Sequence, residues 1–177
     1  MTPLTLSPLT VSLWALGVVM LVMALEASIA RRNEIALRRR GAVEPAGDVY
    51  GTMRWAYPAA FVAMAIEGAI AGPTPGTATV AGVLLLVASK ALKCWAIASL
   101  GDRWTFRVLV VPEPLVVRGP YGWLRHPNYV AVVGELAGMA LLVGARLTGP
   151  VATLVFSLLI WKRIRVENRA LRHLACS

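Results

Sequence analysis

Two short segments in the C-terminal half hold the residues best suited to chemistry. The first is RGPYGWLRHPNYV, residues 118–130. Pro127 suits the first turn of a helix, where its missing N–H is not needed. A helix that begins there turns its free N–H groups and the positive end of its dipole toward an anion. Arg125 and His126 add donors, and Tyr129 adds a hydroxyl and a ring. Gly119 and Gly122 allow the backbone to approach a bound molecule closely. The second segment is IWKRIRVENRALRHL, residues 160–174. Ile160, Ile164, Glu167, Leu171 and Leu174 recur at helical spacing, so Glu167 is a carboxylate in the middle of an apolar stripe. Such a group is costly without a partner. Arg163, one turn earlier, could pair with it, but Asn168 beside it makes a polar notch that favours a ligand contact. An anion-binding helix start, aromatic faces and a carboxylate together suit a zwitterion that carries a sulfonium cation.

The elements that position these residues are apolar. Of 177 residues, 58% are hydrophobic, and the mean hydropathy is +0.67, which is a membrane composition. Apolar runs predict five transmembrane helices in a single all-α integral membrane domain, over about 9–30, 55–71, 78–100, 129–145 and 149–161. The RLTGP turn makes the last two a helical hairpin, and a C-terminal helical extension follows the fifth. The first run lacks a basic leader, and its arginines come after it, so it reads as a retained span and not a cleaved signal. Lys and Arg cluster after runs 1, 3 and 5, and only Arg146 falls in an opposite loop. By the positive-inside rule the clustered side is cytoplasmic and the N-terminus lies outside, as in a bacterial inner membrane. This topology accounts for the formal net charge of +9 without nucleic acid. Cys94 and Cys176 have no metal-ligand spacing, so no metal is expected.

Arginines 31, 32, 38, 39 and 40 read as a helical continuation of the first span to about Arg40, stopped by Gly41. The loop from Gly101 to Asn128 is long enough to be functional. Its FRVLVV and LVVRG stretches flank PEP and predict a short two-stranded ribbon. GPYG lacks the spacing and strand–helix context of a dinucleotide fingerprint, so a Rossmann-type domain is not expected.

The pair RGPYGWLRHPNYV and RIRVENRAL resembles the isoprenylcysteine carboxyl methyltransferase family of membrane enzymes. RRNEIALRRRGAVE and SLGDRWTFRVLVVP resemble its bacterial members, which extends the likeness over most of residues 30–172. The resemblance implies a multi-span helical fold that binds S-adenosylmethionine at the cytoplasmic face, with the site built from 101–129 and 160–172. Matching positions are Gly119, Tyr121, His126, Pro127 and Tyr129 in the first motif, with Arg125 between them. In the second they are Arg163 and Glu167, and Asn168 stands where members often carry a second acid. The implied activity is O-methyl transfer to a lipophilic acceptor dissolved in membrane lipid. That acceptor is a prenylcysteine-type carboxylate or the hydroxyl of a lipidic polyketide such as an alkylpyrone. Arg163, Glu167 and Asn168 are the expected catalytic residues.

Two other readings remain open. One is amine methylation of phospholipid headgroups. The other is a non-catalytic membrane protein or small transporter, in which Glu26, Glu67, Lys90, Lys93 and Glu135 would mark a path. Matched depth also predicts a buried pair. Lys93 and Glu135 each lie about 10 Å inside the span at about 1.5 Å per residue.

Overall fold

The computed structural model of the chain describes residues 7–72, 76–111, 114 and 116–175, with side chains through residue 170. Five long helices dominate: α1 (Pro8–Arg39), α2 (Tyr50–Ala71), α3 (Thr77–Leu100), α4 (Pro127–Val143) and α5 (Thr148–Ala175). Single 3₁₀ turns occupy Gly101–Arg103 and Gly119–Gly122. The helix boundaries follow local chemistry. Pro8 opens α1 while the Ser7 hydroxyl accepts the Thr10 N–H at 3.2 Å, a side-chain N-cap. Gly41 closes it at φ +82°, and the Ala42 N–H donates back to the Leu37 carbonyl at 3.0 Å. Pro127 opens α4, and left-handed Gly144 closes it (φ 71°, ψ 29°).

α1 and the Thr77–Arg103 run are each long and apolar enough to cross a membrane, and α4 is a shorter apolar helix. Arg54, Tyr57, Pro58 and Glu67 dilute the hydropathy of α2. The bundle exterior carries exposed Leu13, Leu21, Leu84, Leu154 and Leu158, a surface suited to lipid and not to water. α4 is the hub and touches each of the other four helices. Its seam with α3 is made of small residues. A Cβ added at Gly82 or Gly138 would strike the backbone of the opposite helix, so the two axes approach through glycine. The apolar core gathers Phe61, Met64, Leu136, Met139 and Phe156 around this hub.

The helices differ in detail from the runs in the sequence. α2 begins at Tyr50, five residues before the expected start, with Pro58 inside it. α5 runs without a break from Thr148 to Ala175, so the apolar run 149–161 and the segment after it are one helix. Among the described residues the expected ribbon around Pro112–Pro114 does not form. Val110 instead makes an isolated antiparallel bridge with Val43, with N–H···O distances of 3.0 Å both ways. Residues 112, 113 and 115 lie outside the described set, as do the side chains of Leu171 and Leu174.

The first part of that loop is pinned to the end of α1. Buried Asn33 donates to the carbonyls of Gly101 (3.0 Å) and Trp104 (2.9 Å). Arg107 reaches Glu44 at 2.7 Å and Glu34 at 3.1 Å, and Arg38 reaches the other Glu44 oxygen at 2.6 Å. Burial alone would raise the Glu44 carboxyl, but the hydrogen bonds from Arg38 and Arg107 outweigh it and hold the group below its ordinary value.

Deep in the bundle the charges form a closed quartet. Lys93 lies 2.8 Å from Glu26 and 3.2 Å from Glu135, and Lys90 lies 3.0 and 2.8 Å from the same two acids. The Tyr57 hydroxyl donates to Glu135 at 2.8 Å. The expected Lys93–Glu135 pair is present, and α1 completes it. Glu67 has a separate role at the far end of α2. It accepts the N–H groups of Leu147 (2.8 Å) and Thr148 (2.7 Å) and the Thr148 hydroxyl, so it caps the start of α5.

Candidate functional site

The two sequence segments meet where the first turn of α4 faces the second half of α5. His126 is the residue before α4, with φ −136° and ψ 62°, and buried Pro127 takes the first helical position. This entry angle brings His126 and Tyr129 onto one side, their rings stacked with centroids 5.4 Å apart at 24°. Glu167 comes from α5. It accepts the Tyr129 hydroxyl at 3.0 Å, and the same carboxylate oxygen lies 3.8 Å from His126 Nδ1. The imidazole and the carboxylate are only partly covered, at 18% and 29% exposure. A bound molecule can therefore reach both.

Tyr121, in the 3₁₀ turn, stands near enough to feel Glu167. Burial first, and then that negative charge, push its phenol well above the usual tyrosine range. It therefore stays neutral and can donate a hydrogen bond.

Arg163 lies one helical turn before Glu167, yet it is not paired with it. Its guanidinium is buried, donates to the Phe106 carbonyl and the Met53 sulfur (3.9 Å), and lies 3.6 Å from Asp48. Its Cζ sits 5.9 Å from the Tyr129 ring centroid. The i,i+4 pair that local spacing suggests thus gives way to a non-local partner. Asp48 lies in the α1–α2 linker and was not singled out in the sequence reading. The signal was present: an acid two residues before an N–H that it caps, since Asp48 Oδ1 accepts from Tyr50 N at 3.2 Å.

The remaining predicted positions divide. Asn168 is half-buried beside Glu167, and Arg125 is exposed. Among the described residues no hydrogen bond or ion pair joins either to the cluster. Gly119 has a packing role, since φ is +61° and an added Cβ would collide with Ser99 of α3. Gly122 is exposed. Two polar atoms nearby are buried without a hydrogen-bond partner, Asn128 Oδ1 and Arg163 Nε. Groups left so are costly, and both belong to residues of this α4–α5 junction.

Below the cluster an apolar groove runs between α2 and α5. It comprises a cavity of about 440 Å³ lined by Ala63, Ile66 and Ile70, and one of about 220 Å³ lined by Ala56, Ala60 and Phe156. Ala63 and Thr148 belong to both. The groove's inner end, at Ala56, is one turn from Met53, which touches Arg163.

Comparison with known proteins adds relatives to this geometry. The model of the isoprenylcysteine carboxyl methyltransferase (ICMT) family matches residues 82–173, the stretch that contains both halves of the cluster. An uncharacterized Bacillus subtilis protein, YpbQ, is 30% identical over 161 residues, covering 90% of this chain and 96% of that one. An uncharacterized Haemophilus influenzae protein is 28% identical over 149 residues, 83% of this chain and 87% of its own. The protein-S-isoprenylcysteine O-methyltransferase of Saccharomyces cerevisiae is 32% identical over 100 residues, 52% of this chain and 40% of the yeast protein. No solved structure matches the chain.

Proposed function

The chain belongs to the isoprenylcysteine carboxyl methyltransferase family, and on that premise we propose that it is an S-adenosylmethionine-dependent O-methyltransferase acting on a lipophilic acceptor from within the membrane. The observation that carries the reading is the junction of His126, Tyr129 and Glu167 across α4 and α5. In the same reading the protein spans the membrane five times, with its arginine-rich side in the cytoplasm.

The residues present fit the cofactor. S-adenosylmethionine supplies, when bound, a methyl group on a positively charged sulfur. The aromatic faces of Tyr129 and His126 and the carboxylate of Glu167 favour a cation beside them. The partnerless Arg163 Nε and Asn128 Oδ1 are a buried donor and acceptor that a zwitterionic ligand would satisfy. Most of the rate then comes from orientation and from charge placed in advance. A carboxylate acceptor is already ionised near neutral pH and needs no base. A hydroxyl acceptor must release its proton, and Glu167 or the neighbouring His126 is positioned to take it.

The groove between α2 and α5 supports a lipophilic acceptor. Its walls are mostly alanine, valine and phenylalanine, and it ends at Ala56, one turn from the Met53 that touches Arg163. A hydrocarbon tail laid there keeps its polar head at the cluster. The intramembrane quartet supports a structural role over a transport path, because each lysine already faces two acids.

Incubating membranes that contain the protein with radiolabelled S-adenosylmethionine, followed by lipid extraction, tests the proposal. A labelled, base-labile or ether-linked lipid is expected, and Glu167→Ala should abolish it. Label that stays in the aqueous phase with folded protein would overturn the reading, and label on a phospholipid amine would replace it with headgroup methylation.

A further inference from the structure

We propose that Asp48 is the positioning residue for Arg163: a buried acid that locks the guanidinium and, through it, ties the Trp104–Val108 segment to α5. A buried arginine is stable only with a counter-charge and with its donors occupied. Asp48 provides the charge. Its side chain is 4% exposed and that of Arg163 is 7% exposed, with Nη2 3.6 Å from Oδ2. The same carboxylate is already held from two sides. Oδ1 accepts the Tyr50 N–H at 3.2 Å, at the start of α2. Oδ2 accepts the Val108 N–H at 3.2 Å, from the loop.

Arg163 closes the unit from α5 by donating to the Phe106 carbonyl. Two residues of one loop, Phe106 and Val108, are therefore gripped by opposite members of one ion pair. Nη1 rests on the Met53 sulfur at 3.9 Å, so the guanidinium has little freedom to turn. With both Nη atoms committed to protein groups, Nε is the atom left without a partner. Asp48 thus determines which edge of Arg163 remains available beside the Tyr129 ring.

The inference rests on the proposed function only for what that edge would touch; the lock itself is a property of the fold. The two parts are tested separately. In the protein without any added ligand, tryptic cleavage after Arg103 and Arg107 is timed for Asp48→Ala, Arg163→Ala and the double variant, alongside thermal midpoints. Each single change should speed cleavage roughly tenfold. The double should be no more than about twofold faster than the faster single, because residues acting through one contact are not additive. Additive effects would mean that Asp48 only caps backbone, and the inference would fall.

In transfer-active preparations, Asp48→Asn should lower kcat by about 10–100-fold, the scale of a misplaced orienting group. The KM for the methyl donor should change much less, and Asp48→Glu should restore part of the loss. Equal losses in Asn and Glu variants, or a loss confined to KM, would overturn the positioning role. Wild-type protein with no transfer at all would refute the functional reading, while the cleavage cycle would still decide on the lock.

Discussion

Replacing Lys93 with Met removes one cation from a buried group of four that is neutral as it stands. Glu26 and Glu135 would keep only Lys90, and the site would carry one uncompensated negative charge. Lys93 is 2% exposed and Glu135 is fully covered, so neither reaches water by a rotamer change. The Lys93 contacts at 2.8 and 3.2 Å correspond to roughly 6 and 5 kcal/mol of attraction at an effective dielectric of about 20. Most of this is offset by the desolvation that the folded protein has already borne. The measurable loss is therefore the smaller figure for stranding a buried partner, about 3–5 kcal/mol. For a chain of this size that is a fall of about 6–20 °C in the midpoint of a thermal melt in detergent. Adding Glu135→Gln restores neutrality and keeps an acceptor for the Tyr57 hydroxyl. The Lys90–Glu26 contact at 3.0 Å remains. The double variant should regain at least half of the lost midpoint. Strictly additive losses would refute the reasoning, since they would mean that Lys93 contributes by packing and not by charge.

Tyr129→Phe keeps the ring but removes the bond to Glu167, and it should weaken cofactor binding about fivefold, the value of one net hydrogen bond near 1 kcal/mol; His126→Ala should do at least as much. Isothermal titration measures both, and unchanged affinity in the two variants would remove the first motif from the site. In a Cys94→Ser, Cys176→Ser background, cysteine at exposed Leu147 should react with an impermeant maleimide on intact cells, and cysteine at exposed Ala46 should not; the reverse pattern would invert the topology. Glu44 has a folded-state pKa below its ordinary value of 4.5 because the hydrogen bonds from Arg38 and Arg107 outweigh the burial that would raise it. Its contribution to stability is then present above that ordinary value and lost as pH falls through the folded value. Melts from pH 7 down to pH 3 should show an acid limb that Glu44→Gln flattens, and equal slopes in the two proteins would exclude Glu44 as its source.

What the sequence revealed and what it concealed divide along one line, the distance between partners. Gly41 as the stop of α1 and Pro127 as the start of α4 were legible because each acts on its own neighbours, through positive φ in one case and a missing N–H in the other. Lys93 with Glu135 was legible for another reason. Membrane helices have known rise and alternating direction, so depth can be calculated, and opposite charges at equal depth must find one another. The same calculation leaves Glu26 and Lys90 as separate intramembrane charges until α1 is known to lie against α3 and α4. The ribbon expected around Pro112–Pro114, not seen among the described residues, shows the converse. Val108 to Val111 have strand-like character, but such a pattern never names its partner. The edge that Val110 found belongs to Val43, far upstream.

Arg163 gives the clearest case, because two rules competed there. Helical spacing offered Glu167 as its partner, a pair worth about 0.2–0.5 kcal/mol at a solvated surface. Burial changed the comparison. Once the guanidinium is enclosed it needs a counter-charge that is enclosed with it, and Glu167 at 29% exposure is not. Asp48, at 4%, is. Glu167 is thereby left free of the arginine, and among the described residues it is bonded to the hydroxyl of Tyr129 and lies near the imidazole of His126. With 29% of its side chain exposed, it keeps acceptor capacity that a molecule with hydroxyl or ammonium groups could use. The non-local pair hidden from the sequence is thus what makes the locally visible carboxylate available for chemistry.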